Sequence, residues 1–226
     1  RSVGLPYDRH RIEIFEILFN YLHNKVFQEY PANNLTPNLP ADRHGSFRNF
    51  AFFEAYFSNY IEGTVFEVSE AKEIVDTGVP MPARSGDSHD VLGTYQLVSD
   101  KNQMKIIPKD EKEFLKLLQT RHKILLSARI NKHPGEFKVK NNRAGDKHFV
   151  DVKLVRGTLT RGFNYYKILS DAFARAAYMM FIVSEVHPFE DGNGRIARVM
   201  MNAELVNRSQ CKIIIPTVYR EDYLLT

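Results

Sequence analysis

Apolar side chains recur every three to four residues along most of this 226-residue chain, and the period changes to two only once, between Glu136 and Val152. Segments whose apolar residues share one stripe bury it as helices, whereas strict alternation belongs to strands. The spacing predicts helices over about 11–29 (Ile14, Leu18, Tyr21, Leu22), 46–61 (Phe50, Phe53, Phe57, Ile61 facing the core, Gly63 stopping it) and 64–75. Ser69 has Lys72 three residues on, so it forms no capping box. Further helices are expected over about 88–98, 110–129, 163–185 and 193–208. The 110–129 helix carries Phe114, Leu117, Leu118, Leu125 and Ala128, with Asp110, Glu111 and Glu113 where its dipole favours acids. Residues 136–140 and 147–152 read as strands of a β-hairpin around 141–145. Two loops hold half of the ten prolines, at 31–40 and 80–88, and Ile213–Ile215 reads as a short strand or buried turn. The expected fold is therefore mainly α with one small hairpin.

Forty-three per cent hydrophobic residues in a chain of this length suffice for one sizeable core. A net charge of +4 excludes the disordered and supercharged classes and argues against a nucleic-acid footprint unless the charges cluster on one face. The single cysteine, Cys211, excludes an intrachain disulfide and a multi-cysteine metal site, and reads as a small buried hydrophobe. The longest fully apolar run, Ala176 to Val183, has eight residues and cannot span a bilayer. With no signal-peptide core at the start, the chain reads as cytoplasmic. It opens on Arg1, which leaves room for a removed leader, and the helical pattern from Tyr219 is cut at Thr226, so the natural chain is expected to continue.

One stretch carries the chemistry: His187-Pro-Phe-Glu-Asp-Gly-Asn-Gly-Arg-Ile-Ala-Arg198, a turn between two helical patterns. Gly192 and Gly194 flank Asn193 and let the backbone gather its N–H groups at a helix start, where anions bind. Arg195 and Arg198 share a helix face, and two guanidinium forks suit a polyphosphate better than a single carboxylate. Asp191 beside bound phosphates is a natural Mg²⁺ ligand. His187, on the opposite lip, can take a proton from an attacking hydroxyl. The residues thus suggest a nucleotide polyphosphate, Mg²⁺ and a general base, with attack on phosphorus.

This stretch resembles the signature of Fic-domain proteins, H-x-F-x-[D/E]-G-N-G-R-x-x-R, at every fixed position: His187, Phe189, Asp191, Gly192, Asn193, Gly194, Arg195 and Arg198. Chance would produce those eight matches on the order of 10⁻¹⁰ times per start position. Pro134-Gly-Glu-Phe-Lys138 resembles the segment entering the family's flap hairpin, and the likeness runs from about Ser46 to Tyr223. It implies an all-helical core domain over 46–226 preceded by a helical segment and loop over 1–45. It also implies transfer of AMP from ATP to a Ser, Thr or Tyr hydroxyl of a target protein. In that reading His187 is the general base and Asp191 holds Mg²⁺. Gly192, Asn193 and Gly194 form the anion hole, Arg195 contacts the phosphates and Arg198 the γ-phosphate. Phe189 anchors the loop, and the flap, with Phe137, Lys138, Val139 and Lys140, clamps the target by strand-like pairing. Ser58-Asn-Tyr-Ile-Glu62-Gly63 further resembles the family's inhibitory motif, [S/T]-x-x-x-E-[G/N], and implies that Glu62 pairs with Arg198.

Other readings stand beside these. Gly192-Asn-Gly-Arg-Ile-Ala197 also fits a dinucleotide fingerprint, but a helical pattern precedes it where that fold needs a strand. The Ser58–Glu62 pattern is short enough to arise by accident, and Lys138 and Lys140 also suit an ordinary exposed strand edge. The histidines at 10, 23, 44, 89, 122, 133 and 148 show no metal-ligand spacing and read as structural. The same site would serve removal of AMP, transfer of another phosphate-containing group, or nucleotide sensing without catalysis. Modification of the chain itself and a homo-oligomer stay open.

Overall fold

The computed structural model describes residues 4–24 and 43–221. The proline-bearing stretch 31–40, the end of the first expected helix and the last five residues lie outside them. Among the described residues, α-helices span Arg9–Asn24 (α1), Arg43–Ile61 (α2), Val68–Thr77 (α3), Ser85–Ser99 (α4), Lys101–Met104 (α5), Glu111–Leu125 (α6), Val155–Ile168 (α7) and Ala172–Val186 (α8). A two-stranded antiparallel ribbon, Arg143–Ala144 (β1) and Lys147–His148 (β2), lies between α6 and α7. A further helix, Asn193–Asn207 (α9), follows α8.

Local chemistry explains several boundaries. Asp110 starts α6 by accepting the Glu113 N–H at 2.8 Å, while Glu113 accepts the Lys109 N–H at 3.0 Å. Helix α3 begins at Val68 rather than Thr64, where the Glu70 carboxylate accepts the Glu67 N–H at 3.0 Å. The helix expected over 163–185 is two helices. Asp171 accepts the Ala174 N–H at 2.9 Å and opens α8, after α7 has ended at Ile168. Arg175 then donates to the Leu169 carbonyl freed by the break.

The main core packs α1, α6, α7, α8 and α9 around Phe15, Phe114, Phe163, Tyr178, Ile182 and Ile196. Gly162 is required here: a Cβ would come within 2.4 Å of Ile182 Cδ1 and 2.9 Å of Phe15 Cδ2. Every residue of α9 from Arg195 to Val206 is buried. A second cluster, including Ala51, Ala55, Leu97, Val98, Val199 and Ala203, seats α2 and α4 against the other side of α9.

The phenylalanine face assigned to α2 is corrected. Phe50 and Phe53 are exposed and Phe57 is half-buried, whereas Ala51, Phe52, Glu54, Ala55, Ser58, Asn59 and Ile61 are buried. The inner face mixes small and polar residues, because alanines admit close helix contact and each polar group has a partner. Lys212 reaches Glu54 at 2.7 Å, and Asn202 donates to the same carboxylate at 2.8 Å. Residues 213–215 form neither strand nor helix. Ile213 is tied instead to the Asn202 amide through its N–H and carbonyl, and Cys211 is half-buried rather than buried.

The hairpin is also corrected. Only residues 143–144 and 147–148 pair, and 136–140 is irregular. Alternation at 136–140 misleads because Lys138 is buried and Val139 is exposed, the reverse of an apolar-in strand. One main-chain bond, Lys138 N–H to the Pro188 carbonyl at 2.8 Å, replaces a ladder.

Candidate active site

Helix α8 ends at His187 in the left-handed conformation (φ 51°, ψ 59°), its N–H still donating to Val183 O at 3.0 Å. That reversal starts the turn to α9. Asn193 then closes the turn on itself: its Oδ1 accepts the Phe189 N–H at 2.8 Å and its Nδ2 donates to the Phe189 carbonyl at 2.9 Å. The amide of Asn193 is therefore spent on loop closure, leaving main chain for any anion contact. Phe189 is fully buried, stacked on His122 at 3.7 Å between ring centroids and tilted against Phe137 at 5.3 Å.

The His187 ring lies flat on Phe149, with centroids 3.6 Å apart and planes 9° off parallel. Its Nδ1 sits 3.2 Å from the Ser184 carbonyl. A carbonyl only accepts, so Nδ1 carries the proton and Nε2 is the basic nitrogen. Burial pushes its pKa down to about 4, Lys138 and Lys147 act in the same sense, and the Ser184 carbonyl and Glu62 oppose.

Sequence reasoning missed His122. Its Nδ1 accepts the Gly135 N–H at 2.8 Å, so Nε2 holds the proton and donates to the Asp191 carbonyl at 3.0 Å. It thus joins the segment entering the flap to the signature turn. Burial lowers its pKa to about 4 as well. The available signal was its place on the apolar stripe of α6, with Phe114, Leu118 and Leu125.

Arg198 is buried beneath the C-terminal end of α2. Its Nη2 donates to Glu62 Oε1 at 2.6 Å and to the Ser58 carbonyl at 2.9 Å, and its Nε donates to Ser58 Oγ at 2.9 Å. Gly63, at φ 94°, ends α2 just beyond. A Cβ on Gly194 would lie 2.3 Å from Glu62 Oε1. The Glu62 carboxylate therefore rests on the first turn of α9, where the helix favours negative charge. Arg195 points elsewhere: it pairs with Asp90 at 3.2 Å, Asn59 at 3.3 Å and Asp191 at 3.4 Å, and its Nε is buried without a partner. Asp90 also holds Arg129 through two bonds, at 3.0 and 2.7 Å.

Asp191 is one of two accessible carboxylates of the turn, its side chain 43% exposed beside Glu190 at 46%, with Oδ1 accepting the Gly192 N–H at 2.6 Å and Oδ2 3.8 Å from Lys132. No group of three or more His, Cys, Asp or Glu suited to a metal occurs among the described residues. One open carboxylate fits Mg²⁺, which takes few protein ligands and completes its shell with waters and substrate phosphates. Of the flap residues, Phe137 and Lys138 reach the turn. The Lys138 ammonium donates to Asn142 Oδ1 at 2.6 Å, Asn142 donates on to the Phe189 carbonyl at 2.9 Å, and burial lowers the lysine's pKa to about 8. Val139 and Lys140 are exposed.

Residues 113–205, which contain most of α6, most of α9 and the whole turn, match the Fic/DOC family. Over that stretch the chain is similar to the Fic/DOC family. Among curated relatives, a "Protein adenylyltransferase Fic" from Nematostella vectensis is 28% identical over 192 residues, 82% of this chain and 44% of that protein. Another of the same name, from Drosophila persimilis, is 27% identical over 75% of this chain and 35% of that protein. The chain thus spans less than half the length of these Fic relatives. Two solved Fic structures share the fold. A Fic domain-containing signalling protein from Bacteroides thetaiotaomicron has a TM-score of 0.67 and 22% identity, covering 95% of this chain and 79% of that one. Fic-1 from C. elegans has a TM-score of 0.65 and 18% identity, covering 96% and 62%. Among the described residues no helix is long and apolar enough to cross a membrane.

Proposed function

We propose that this domain transfers AMP from ATP to a hydroxyl side chain of a target protein, and that Glu62 holds the reaction off. The observation that carries the reading is the pairing, within one turn, of a neutral imidazole whose Nε2 is the basic nitrogen with a glycine-lined helix start where an acidic side chain already sits. His187 accepts the proton of the attacking hydroxyl at Nε2 as the oxygen forms its bond to the α-phosphorus. The bond from that phosphorus to the bridging oxygen breaks, and pyrophosphate leaves. Glycine-flanked N–H groups and the Arg198 fork bind the phosphates, while Asp191 would hold Mg²⁺, whose charge neutralises the triphosphate when bound.

Arg195 serves this reading differently from a direct phosphate ligand. Its contacts to Asp90, Asn59 and Asp191 orient the carboxylate of the turn. Glu62 blocks by occupation: its carboxylate takes both the Arg198 fork and the space before Gly194 that a terminal phosphate would need. The exposed main chain at Val139 and Lys140 is where an extended target segment would lie.

The test is labelling with α-phosphate-tagged ATP and Mg²⁺, on the chain itself and on lysate proteins. Glu62→Gly is expected to raise labelling on the order of tenfold or more, within the usual span of a coupling between two ligands for one site. Adding His187→Ala should abolish it while ATP still binds. Equal, low labelling with and without Glu62 sinks the inhibitory role, and labelling that survives His187→Ala sinks the base. Release of AMP from a modified protein by the wild type alone would favour the reverse reaction.

A further inference from the structure

The ribbon that carries Phe149 cannot place it unaided. Its strands are two residues long, pairing Arg143 with His148 and Ala144 with Lys147, and all four residues are exposed. A two-stranded ribbon of this size has no stability of its own in water. Its position over His187 must come from tethers. On the β1 side these are Lys138 and Asn142, described above.

On the β2 side there are two tethers, Arg11 of α1 and Lys147 of the ribbon itself. One guanidinium nitrogen, Nη1, lies 3.2 Å from Glu185 Oε2, and the other, Nη2, donates to the His148 carbonyl at 2.8 Å. Lys147 of the ribbon reaches the second oxygen of Glu185 at 2.5 Å. Glu185 is 9% exposed and lies two residues before His187, in the last turn of α8. Phe149 follows His148 directly. A single planar fork thus spans three elements: the first helix, the ribbon and the end of the helix that presents the histidine.

We infer that Arg11 is a positioning residue for His187: by bridging Glu185 and the His148 carbonyl it fixes the ribbon so that Phe149 stays stacked on the imidazole. A lysine cannot do this, because one ammonium on a flexible stem lacks the two divergent donors. The kinetic consequence rests on His187 acting as base, but the placement of the ring does not. The charged groups acting on the His187 ring are Lys138, Lys147 and Glu62, and Arg11 is not among them. Loss of Arg11 would therefore act on the imidazole through solvent access rather than direct charge.

The test is NMR of the His187 ring in the whole chain, without nucleotide or target, for wild type, Arg11→Ala and Arg11→Lys. In Arg11→Ala the Cε1–H signal should lose the ring-current shift from Phe149, and its titration midpoint should move from about 4 toward 6.5. Arg11→Lys should keep the Glu185 pair yet show the same change in part. It decides the matter if Arg11→Ala fails to fold. In labelling assays the target's KM should rise several-fold while ATP affinity stays unchanged. A folded variant whose His187 signal keeps wild-type shift and midpoint overturns the inference. If the ring responds as stated and no variant ever labels protein, the positioning role stands and the transferase reading fails.

Discussion

Protonating His122 would set an N–H against the Gly135 N–H that its Nδ1 now accepts at 2.8 Å, and protonating His187 would charge a half-buried ring stacked on Phe149. Both folded pKa values are about 4, below the ordinary 6.5 of an unfolded chain. The sign follows from proton counting. Between 6.5 and about 4 the unfolded chain binds protons that the folded one refuses, so stability is full above 6.5 and falls as pH drops through that window. Urea midpoints should decline from about pH 6.5 to about pH 4 with a slope near two protons per molecule at its steepest, and level off below. The same shift keeps the His187 imidazole unprotonated near neutral pH. With a labelling assay in hand, the turnover should be flat from about pH 8 to about pH 5, and an inflection near 6.5 would show a solvated imidazole.

Among the elements, the α7–α8 break is held by a cap that substitution can remove. Asp171→Ala deletes the acceptor for Ala174 N–H and should cost about 1 kcal/mol, read as a lower urea midpoint. This break was not legible, because apolar spacing continues through 163–185 and only the capping chemistry of one aspartate interrupts it. The helices themselves were legible wherever packing sets the stripe, as in α6, where Phe114, Leu118 and Leu125 are buried as expected. In α2 the stripe failed, since its inward residues Ser58, Asn59 and Glu54 answer to Arg198, Arg195 and Lys212 rather than to hydrophobic burial. The place of the turn between two helices was legible, and so was the burial of Phe189, because the spacing of its glycines and aromatic encodes a tight reversal. His122 was not, since its partners are the Gly135 N–H and the Asp191 carbonyl, main-chain groups that no side-chain pattern announces.

Across the whole molecule, α2 is fastened to the segment after α9 by a buried ion pair, Glu54 with Lys212, each 4% exposed, and by Arg220 donating to the Ile61 carbonyl at 3.0 Å. Burial raises the Glu54 pKa, while Lys212 acts against that rise. Lys212→Met should cost on the order of 3–5 kcal/mol because it strands a buried carboxylate, and adding Glu54→Leu should recover most of the loss. A thermal unfolding series across both single variants and the double checks this. The enclosure of α9 on all sides has a consequence for any saturation mutagenesis of this chain. Scored by cellular abundance, positions 195–206 would look uniformly intolerant, because the rod that bears both arginines is also the keel of the globule. Activity normalised to folded protein would then pick out Arg195 and Arg198 against Ile196 and Ala203, which pack in the two apolar clusters.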